Sequence, residues 1–198
     1  MSTNILGIDL GSKTSGTTAI CYLRDKLQIG LCPEQMNADQ YLLNCIEETE
    51  PDEIWIDAPL SLPAAYYGNG DDFFYRKCDR KLGGMSPMFL GALTARAIKL
   101  ATHWRTQDIE VNEVYPAHIG KKIEASKYRG SEHDLVAFNE LLSIRLTRSV
   151  KCSNWHEIDA VLAWWTGHLN KETSIQWIGD EEEGRIATIP EEYLLINE

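Results

Sequence analysis

The chain has 198 residues, 43% of them hydrophobic, and a formal net charge of −11 at pH 7. That length is enough for one sizeable core and no linker-like stretch divides it, so we expect a single domain over residues 1–198. The N-terminal residues lack the basic and apolar regions of a secretory signal, and no apolar run is long enough to cross a membrane. The five cysteines form no C-x-x-C pair, which indicates a reduced, cytoplasmic protein without structural zinc.

The charge is unevenly distributed along the chain. Residues 76–151 hold 14 of the 19 Lys and Arg residues, whereas 22 of the 30 Asp and Glu residues lie outside this range. A net negative charge argues against nucleic-acid binding, because contacts from Lys and Arg to phosphate dominate that affinity. The excess of basic residues within 76–151 weakens this objection, although it also fits an ordinary mixed surface flanked by solvated acids.

The first predicted elements are a three-stranded antiparallel meander and a helix. The strands are ILGID, GTTAICYL and LQIGLC, which have β-branched residues and short turns between them. NADQYLLNCIEETE then has apolar residues at helical spacing, with Asn37 as its N-cap and Pro51 at its end. The segment EIWIDAP predicts a fourth strand.

The second half of the chain alternates between helices and strands. MFLGALTARAIKLATHW predicts a helix and IEVNEVYP a strand, and further helices are predicted at 132–147 and 155–169. SIQWIGDEEEGRIATIP predicts a closing hairpin. The whole order predicts an α/β fold with a central mixed β-sheet flanked by helices.

Three predicted strands end in an acid, namely Asp9, Asp57 and Glu113. Ligands collect beyond the carboxyl ends of strands in open α/β sheets, so these acids could converge on one crevice. Asp159 lies on a largely apolar helix, where an ionised carboxylate is costly unless it is compensated, in part by the helix start.

Carboxylates that lie close together repel one another unless a cation is bound among them. Mg²⁺ or Mn²⁺ would supply that cation and would activate water for the displacement of a phosphodiester. We therefore predict a metal site that is also catalytic, made of Asp9, Asp57, Glu113 and Asp159.

Six motifs follow one another along nearly the whole chain: GIDLGSKTSG, IWIDAPLSLP, RKCDRKLGG, EVYPAHIG, HEIDAVLAWW and IGDEEEGRIATIP. Together they resemble the predicted RNase H-like nuclease family catalogued as domain of unknown function 429. The resemblance implies an RNase H-like fold, with the four acids named above as the metal site of a nuclease. It implies architecture more than reaction, because the activity of that family is itself inferred largely from its fold.

Residues 58–86 are too many for an ordinary connection and indicate an inserted, lid-like loop. Aromatic and basic side chains occur in it together. The aromatic residues could stack on unpaired bases while Arg76, Arg80 and Lys81 bind substrate phosphate, which would make DNA or RNA the partner. Alternatively, the aromatic residues anchor the loop and the charges are solvated.

Two other functions stay open. GIDLGSKTSG also resembles the first phosphate loop of the actin, sugar-kinase and heat-shock chaperone superfamily, which would make the chain a nucleotide-binding module. That superfamily needs a second phosphate turn and a second lobe, for which this chain offers only KLGGMSP. The third possibility is a catalytically idle RNase H-like domain that assembles with a partner.

Overall fold

The computed structural model describes residues 3–172 and 175–194. The strands in these ranges are β1 (Ile5–Asp9), β2 (Ala19–Leu23), β3 (Leu27–Leu31), β4 (Glu53–Asp57), β5 (Glu110–Glu113), β6 (Gln176–Asp180) and β7 (Gly184–Thr188). The helices are α1 (Ala38–Thr49), α2 (Lys77–Leu82), α3 (Pro87–Leu90), α4 (Ala92–Arg105), α5 (Pro116–Glu124), α6 (Glu132–Leu146), α7 (Trp155–Glu172) and α8 (Glu191–Leu194). Among these described helices, none is both long and apolar enough to span a membrane.

The central sheet has five strands in the order β3-β2-β1-β4-β5. β2 pairs antiparallel with β1 and β3, whereas β1, β4 and β5 are parallel to one another. β6 and β7 form the predicted closing hairpin as a separate two-stranded sheet. The predicted α/β class, with a mixed central sheet flanked by helices, is confirmed.

Successive side chains of each strand alternate between two cores. On one face, Leu6 and Ile8 pack with apolar residues of α1 and α4. On the other face, Ile5 and Trp55 pack with α5, α6 and α7. Because side chains two residues apart share a face, Asp9 at the end of β1 and Asp57 at the end of β4 lie on the face that α7 covers.

The close packing of α7 on β1 depends on Gly7. A Cβ atom at this position would meet the backbone oxygen of Ala160 and the backbone nitrogen of Trp164 at 2.4 Å. Since real Cβ contacts are never that short, only glycine lets the helix lie directly on the strand. This contact fixes the first turns of α7 beside the carboxyl end of β1.

Two predicted elements differ from the structure. The helix expected at 88–104 is divided at Gly91, whose φ of 48° and ψ of −103° separate α3 from α4. By contrast, β5 ends at Glu113 as predicted, and α5 begins at Pro116, where the fixed φ of proline suits a first helical residue. The segment 58–86 is not purely a loop, because it contains α2 and a 3-10 turn at Ala64–Tyr67.

Candidate active site

Asp9 and Asp57 are register partners at the carboxyl ends of two neighbouring parallel strands. Strands in a sheet lie about 4.8 Å apart, and both side chains leave the sheet on the α7 face, so the two carboxylates are neighbours. Both line a cavity of about 480 Å³ at this edge of the sheet. The sequence placed these two acids at strand ends, and the structure places them side by side.

α7 contributes His156 and Asp159, which lie three residues apart and therefore on one side of the helix. His156 Nδ1 is 2.7 Å from Asp9 Oδ2, so the ring is held against the first strand. Asp159 is fully buried, and it accepts hydrogen bonds of 2.5 Å from the Tyr128 hydroxyl and from Arg129 Nη2. Its charge is thus compensated by Arg129 as well as by the start of its helix.

The three acids on this face all resist ionisation. Burial raises the pKa of Asp9, although the hydrogen bond from His156 opposes the change. Burial, with the charge of Asp9 as the next cause, raises the pKa of Asp159 to about 7. Burial and then the charges of Asp9 and Asp159 raise the pKa of Asp57 well above its ordinary value. The acids therefore share one site and repel one another there.

Asp57 differs from its neighbours in its partners. Asp9 has His156 and Asp159 has Tyr128 and Arg129, but across residues 3–172 and 175–194 the Asp57 carboxylate makes no hydrogen bond or ion pair. Asp57 is only partly buried, but its carboxylate lies beside other acids without a hydrogen-bond donor, and a bound cation would relieve that repulsion.

Glu113 differs from the other three acids in its partner, which is Arg76. Glu113 is the register partner of Ile56, which faces α1 and α4, so its side chain leaves the sheet on the opposite face from that of Asp57. It reaches the same cavity, but its carboxylate accepts hydrogen bonds of 2.6 and 2.7 Å from Arg76 and one of 2.8 Å from the backbone N–H of Leu60. Glu113 therefore lines the same cavity as Asp9 and Asp57 but is already paired with Arg76, and its expected part in the metal site stays a prediction.

Arg76 also differs from the expectation of a phosphate-binding residue. Its side chain is fully buried, and its five N–H donors are directed to Glu113, to both carboxylate oxygens of Asp79 and to Ser61 Oγ. No donor is left for a substrate oxygen, so Arg76 acts as the counter-ion of two buried acids. Arg80 and Lys81 are exposed on α2, where a role in substrate binding stays a prediction.

The cavity is lined by both charged and apolar side chains. The charged lining includes Asp9, Asp57 and His156, together with Arg129 and Lys121. The apolar lining comes mainly from α3, α4, α5 and the segment before them, and it includes Met85, Leu90, Leu93 and Ala117.

The donor set fits a hard divalent cation in its chemistry. Carboxylate oxygens are the ligands that Mg²⁺ and Mn²⁺ take, and Asp9, Asp57 and Asp159 supply them on one face. Within the described ranges, no three His, Cys, Asp or Glu side chains are arranged to share one ion as they stand. Asp9 is instead hydrogen-bonded to His156, and Asp159 to Tyr128 and Arg129.

The loop after Asp9 is closed by its own side chains. The Ser12 N–H donates to Thr17 Oγ1 at 2.9 Å, and the Ser15 N–H donates to Ser12 Oγ at 3.2 Å. The carbonyl of Gly11 accepts from Arg96. A loop that cradles phosphate presents free backbone N–H groups, so these contacts do not favour the nucleotide-binding alternative.

The roles of His156, Tyr128 and Arg129 beside the acids were not predicted from the sequence. The available signal for His156 was its position three residues before Asp159 in HEIDAVLAWW, which puts both on one helix face. Tyr128 and Arg129 follow α5 in a short turn and carry no local signal. Their roles depend on where α7 packs.

No protein-family model matches the chain, and no curated protein matches it. Among solved structures, the chain is similar to that of RuvC from Thermus thermophilus, with 11% sequence identity and a TM-score of 0.39. The similarity covers 87% of this chain and 98% of RuvC. The fold assignment rests on the strand order and directions of the central sheet.

Proposed function

We propose that the chain is a divalent-metal-dependent nuclease that hydrolyses phosphodiester bonds, with Mg²⁺ or Mn²⁺ held by Asp9, Asp57 and Asp159. The observation that carries this proposal is the pairing of Asp9 with Asp57 in register, with the Asp57 carboxylate left unpartnered. A cation bound here would stabilise the charge that develops on the phosphate and activate water for attack.

The surrounding residues have positioning roles in this proposal. His156 holds the Asp9 carboxylate, and that hydrogen bond raises the pKa of the ring above its ordinary value. Arg129 is half exposed, orients Asp159 and lines the cavity, where its charge favours an entering phosphate. Glu113 and Arg76 maintain the cavity wall.

The proposal includes two finer statements. Membership of the RNase H-like nuclease family called domain of unknown function 429 is supported by the six motifs in matching order. A cytoplasmic setting is supported by the five cysteines, all of which are free and four of which are buried.

Metal-dependent cleavage of labelled single- and double-stranded DNA and RNA tests the function. We expect hydrolysis in Mg²⁺ or Mn²⁺ that EDTA abolishes, and a loss of about a hundredfold or more in Asp57→Asn. Asp25→Asn is the matched control, because it removes the same charge from an exposed turn. Calorimetric titration with Mn²⁺ gives a readout apart from activity, in which Asp57→Asn should bind more weakly than Asp25→Asn.

Two results would contradict the proposal. One is an absence of hydrolysis on every substrate together with equal Mn²⁺ affinity in the two variants. The other is full activity in Asp57→Asn.

A further inference from the structure

Exposed large hydrophobic side chains are concentrated in one stretch of the chain. Of the ten that are exposed in the described ranges, six lie within residues 66–89, with exposed fractions between 45% and 64%. They are Tyr66, Tyr67, Phe73, Phe74, Met85 and Phe89. A concentration of exposed aromatic rings on a mostly acidic protein marks an interaction site.

Phe74, Tyr75 and Phe89 form a connected group, which we call the aromatic platform. The ring centroids of Phe74 and Phe89 are 5.8 Å apart, and those of Tyr75 and Phe89 are 6.1 Å apart. Phe74 and Phe89 are both more than half exposed, so ring surface stays open to solvent. The Ser86 hydroxyl, which also caps α3, donates to the carbonyl of Phe74 and joins the two parts of the platform.

The platform carries positive charge on its outer side. The Arg80 guanidinium lies 4.4 Å from the centroid of the Tyr75 ring, and it is also paired with Asp72. Lys81 is exposed on the same short helix, one residue further along the chain. Aromatic faces interleaved with basic side chains are typical of surfaces that bind unpaired nucleotides.

The platform is continuous with the candidate active site. Phe89 is followed by Leu90, which lines the cavity, and exposed Met85 lines it too. The lining of the same cavity includes Asp9 and Asp57. A strand stacked on the platform would therefore lie next to the cavity that the acids line.

The size and charge of the cavity disfavour a duplex. A cavity of 480 Å³ is in the range of sites that enclose one small ligand, which run from about 300 to 1,000 Å³. Specific duplex binding covers about 1,000–2,500 Å² of strongly basic surface. This chain has a net charge of −11, and Arg76 is already paired with Glu113 and Asp79.

We propose that the substrate of the candidate nuclease is single-stranded nucleic acid, with unpaired bases stacked on Phe74 and Phe89 and the adjoining phosphodiester in the cavity. This inference rests on the proposed function for its chemistry. The preference for a single strand over a duplex rests on the aromatic platform. Arg80 and Lys81 contact the phosphates outside the cavity.

Fluorescence anisotropy of a labelled oligothymidine strand tests the proposal. The affinity is measured in Ca²⁺ and is compared with the affinity for the same strand annealed to its complement. We expect tighter binding of the single strand, and a loss of about tenfold or more when Phe74→Ala and Phe89→Ala are combined. Phe89→Tyr keeps a ring at this position and should retain the affinity. The combined Val136→Ala and Ile144→Ala variant is the matched control, because it removes two exposed apolar side chains of α6 that line a different hollow.

The outcomes separate this inference from the proposed function. Platform-dependent binding of the strand without hydrolysis in Mg²⁺ or Mn²⁺ would end the nuclease proposal and leave the binding surface standing. Hydrolysis of duplex and single strand at equal rates, unchanged in the platform variant, would overturn the inference and leave the nuclease proposal intact. The inference would also be overturned by equal affinity for the single strand and the duplex, or by an equal loss of affinity in the platform variant and the α6 control.

Discussion

Arg76 and Glu113 form a doubly hydrogen-bonded ion pair, with N–O distances of 2.6 and 2.7 Å, in an enclosed part of the molecule. Arg76 lies at the start of α2 and Glu113 at the end of β5, so the pair joins the inserted segment to the sheet. A second buried acid, Glu183, accepts from the backbone N–H groups of Ala64 and Lys77 and ties the β6-β7 turn to the same segment. The segment beside the cavity is therefore held by buried charge.

We expect Arg76→Met to destabilise the protein strongly, because it leaves Glu113 and Asp79 buried without a counter-ion. Removing one partner of a buried pair costs about 3–5 kcal/mol. Urea unfolding measures the effect. Arg80→Met is the matched control, since Arg80 pairs with Asp72 at the exposed surface and its loss should change the free energy of unfolding little. Similar unfolding midpoints for both variants would show that the buried pair does not hold the segment.

We expect Asp57→Asn to stabilise the metal-free protein increasingly as the pH rises. The pKa of Asp57 is raised in the folded state, so the unfolded chain binds fewer protons than the folded one above the ordinary pKa of 3.8. Stability contributed by this group is therefore lost with rising pH, and asparagine removes that loss. The charges that act on Asp57 are those of Asp9, Asp159, Arg129 and Glu113.

Melting temperatures in EDTA between pH 5 and 8 measure this effect as the difference between the variant and the unmodified protein. The difference should grow as the pH rises above the ordinary carboxyl pKa of 3.8 and through the raised pKa of Asp57. A variant that melts earlier at neutral pH would mean that Asp57 is a structural hydrogen-bonding residue.

We expect the pKa of His156 to fall when Asp9 is changed to Asn. The hydrogen bond to Asp9 is the largest cause that raises the His156 pKa, and the negative charge of Asp9 raises it further. Because a raised histidine pKa stabilises the fold only while the ring is protonated, this contribution is present at low pH and is lost as the pH rises through that pKa. Proton NMR titration of the histidine rings, with His156→Gln to assign the signal, measures the shift. An unchanged pKa would show that the ring does not contact Asp9 in solution.

We expect Gly7→Ala to destabilise the protein by about 1–3 kcal/mol, as overpacking of a core does. The new methyl group would press on Ala160 and Trp164 and displace α7 from β1. The His156 signal should shift in the same variant, because α7 carries that residue. Gly84→Ala is the control, since its added Cβ would meet nothing closer than 3.7 Å. Equal melting temperatures for the two variants would contradict the packing argument.

Much of the fold was predictable because its signals are local. Alternating and continuous apolar runs predicted β1, β2, β3 and β4, and Asn37 was correctly identified as the N-cap of α1, where its side chain accepts from the Asp39 N–H. Acids at the ends of β1 and β4 could be picked out because a carboxylate after a buried strand needs compensation. Gly91 was the local signal that was overlooked, and it divides α3 from α4.

The pairing of charges was decided by the tertiary structure alone. Glu113 is in register with Ile56 and not with Asp57, so the side chains of Glu113 and Asp57 leave opposite faces of the sheet. No local pattern in the sequence encodes that register. His156 lies 147 residues from Asp9 along the chain, and Arg76 lies 37 residues from Glu113. A buried charge pairs with whichever group the packing brings within hydrogen-bonding distance. Sequence spacing alone could therefore identify the acids but could not show which of them are already paired with a cationic side chain.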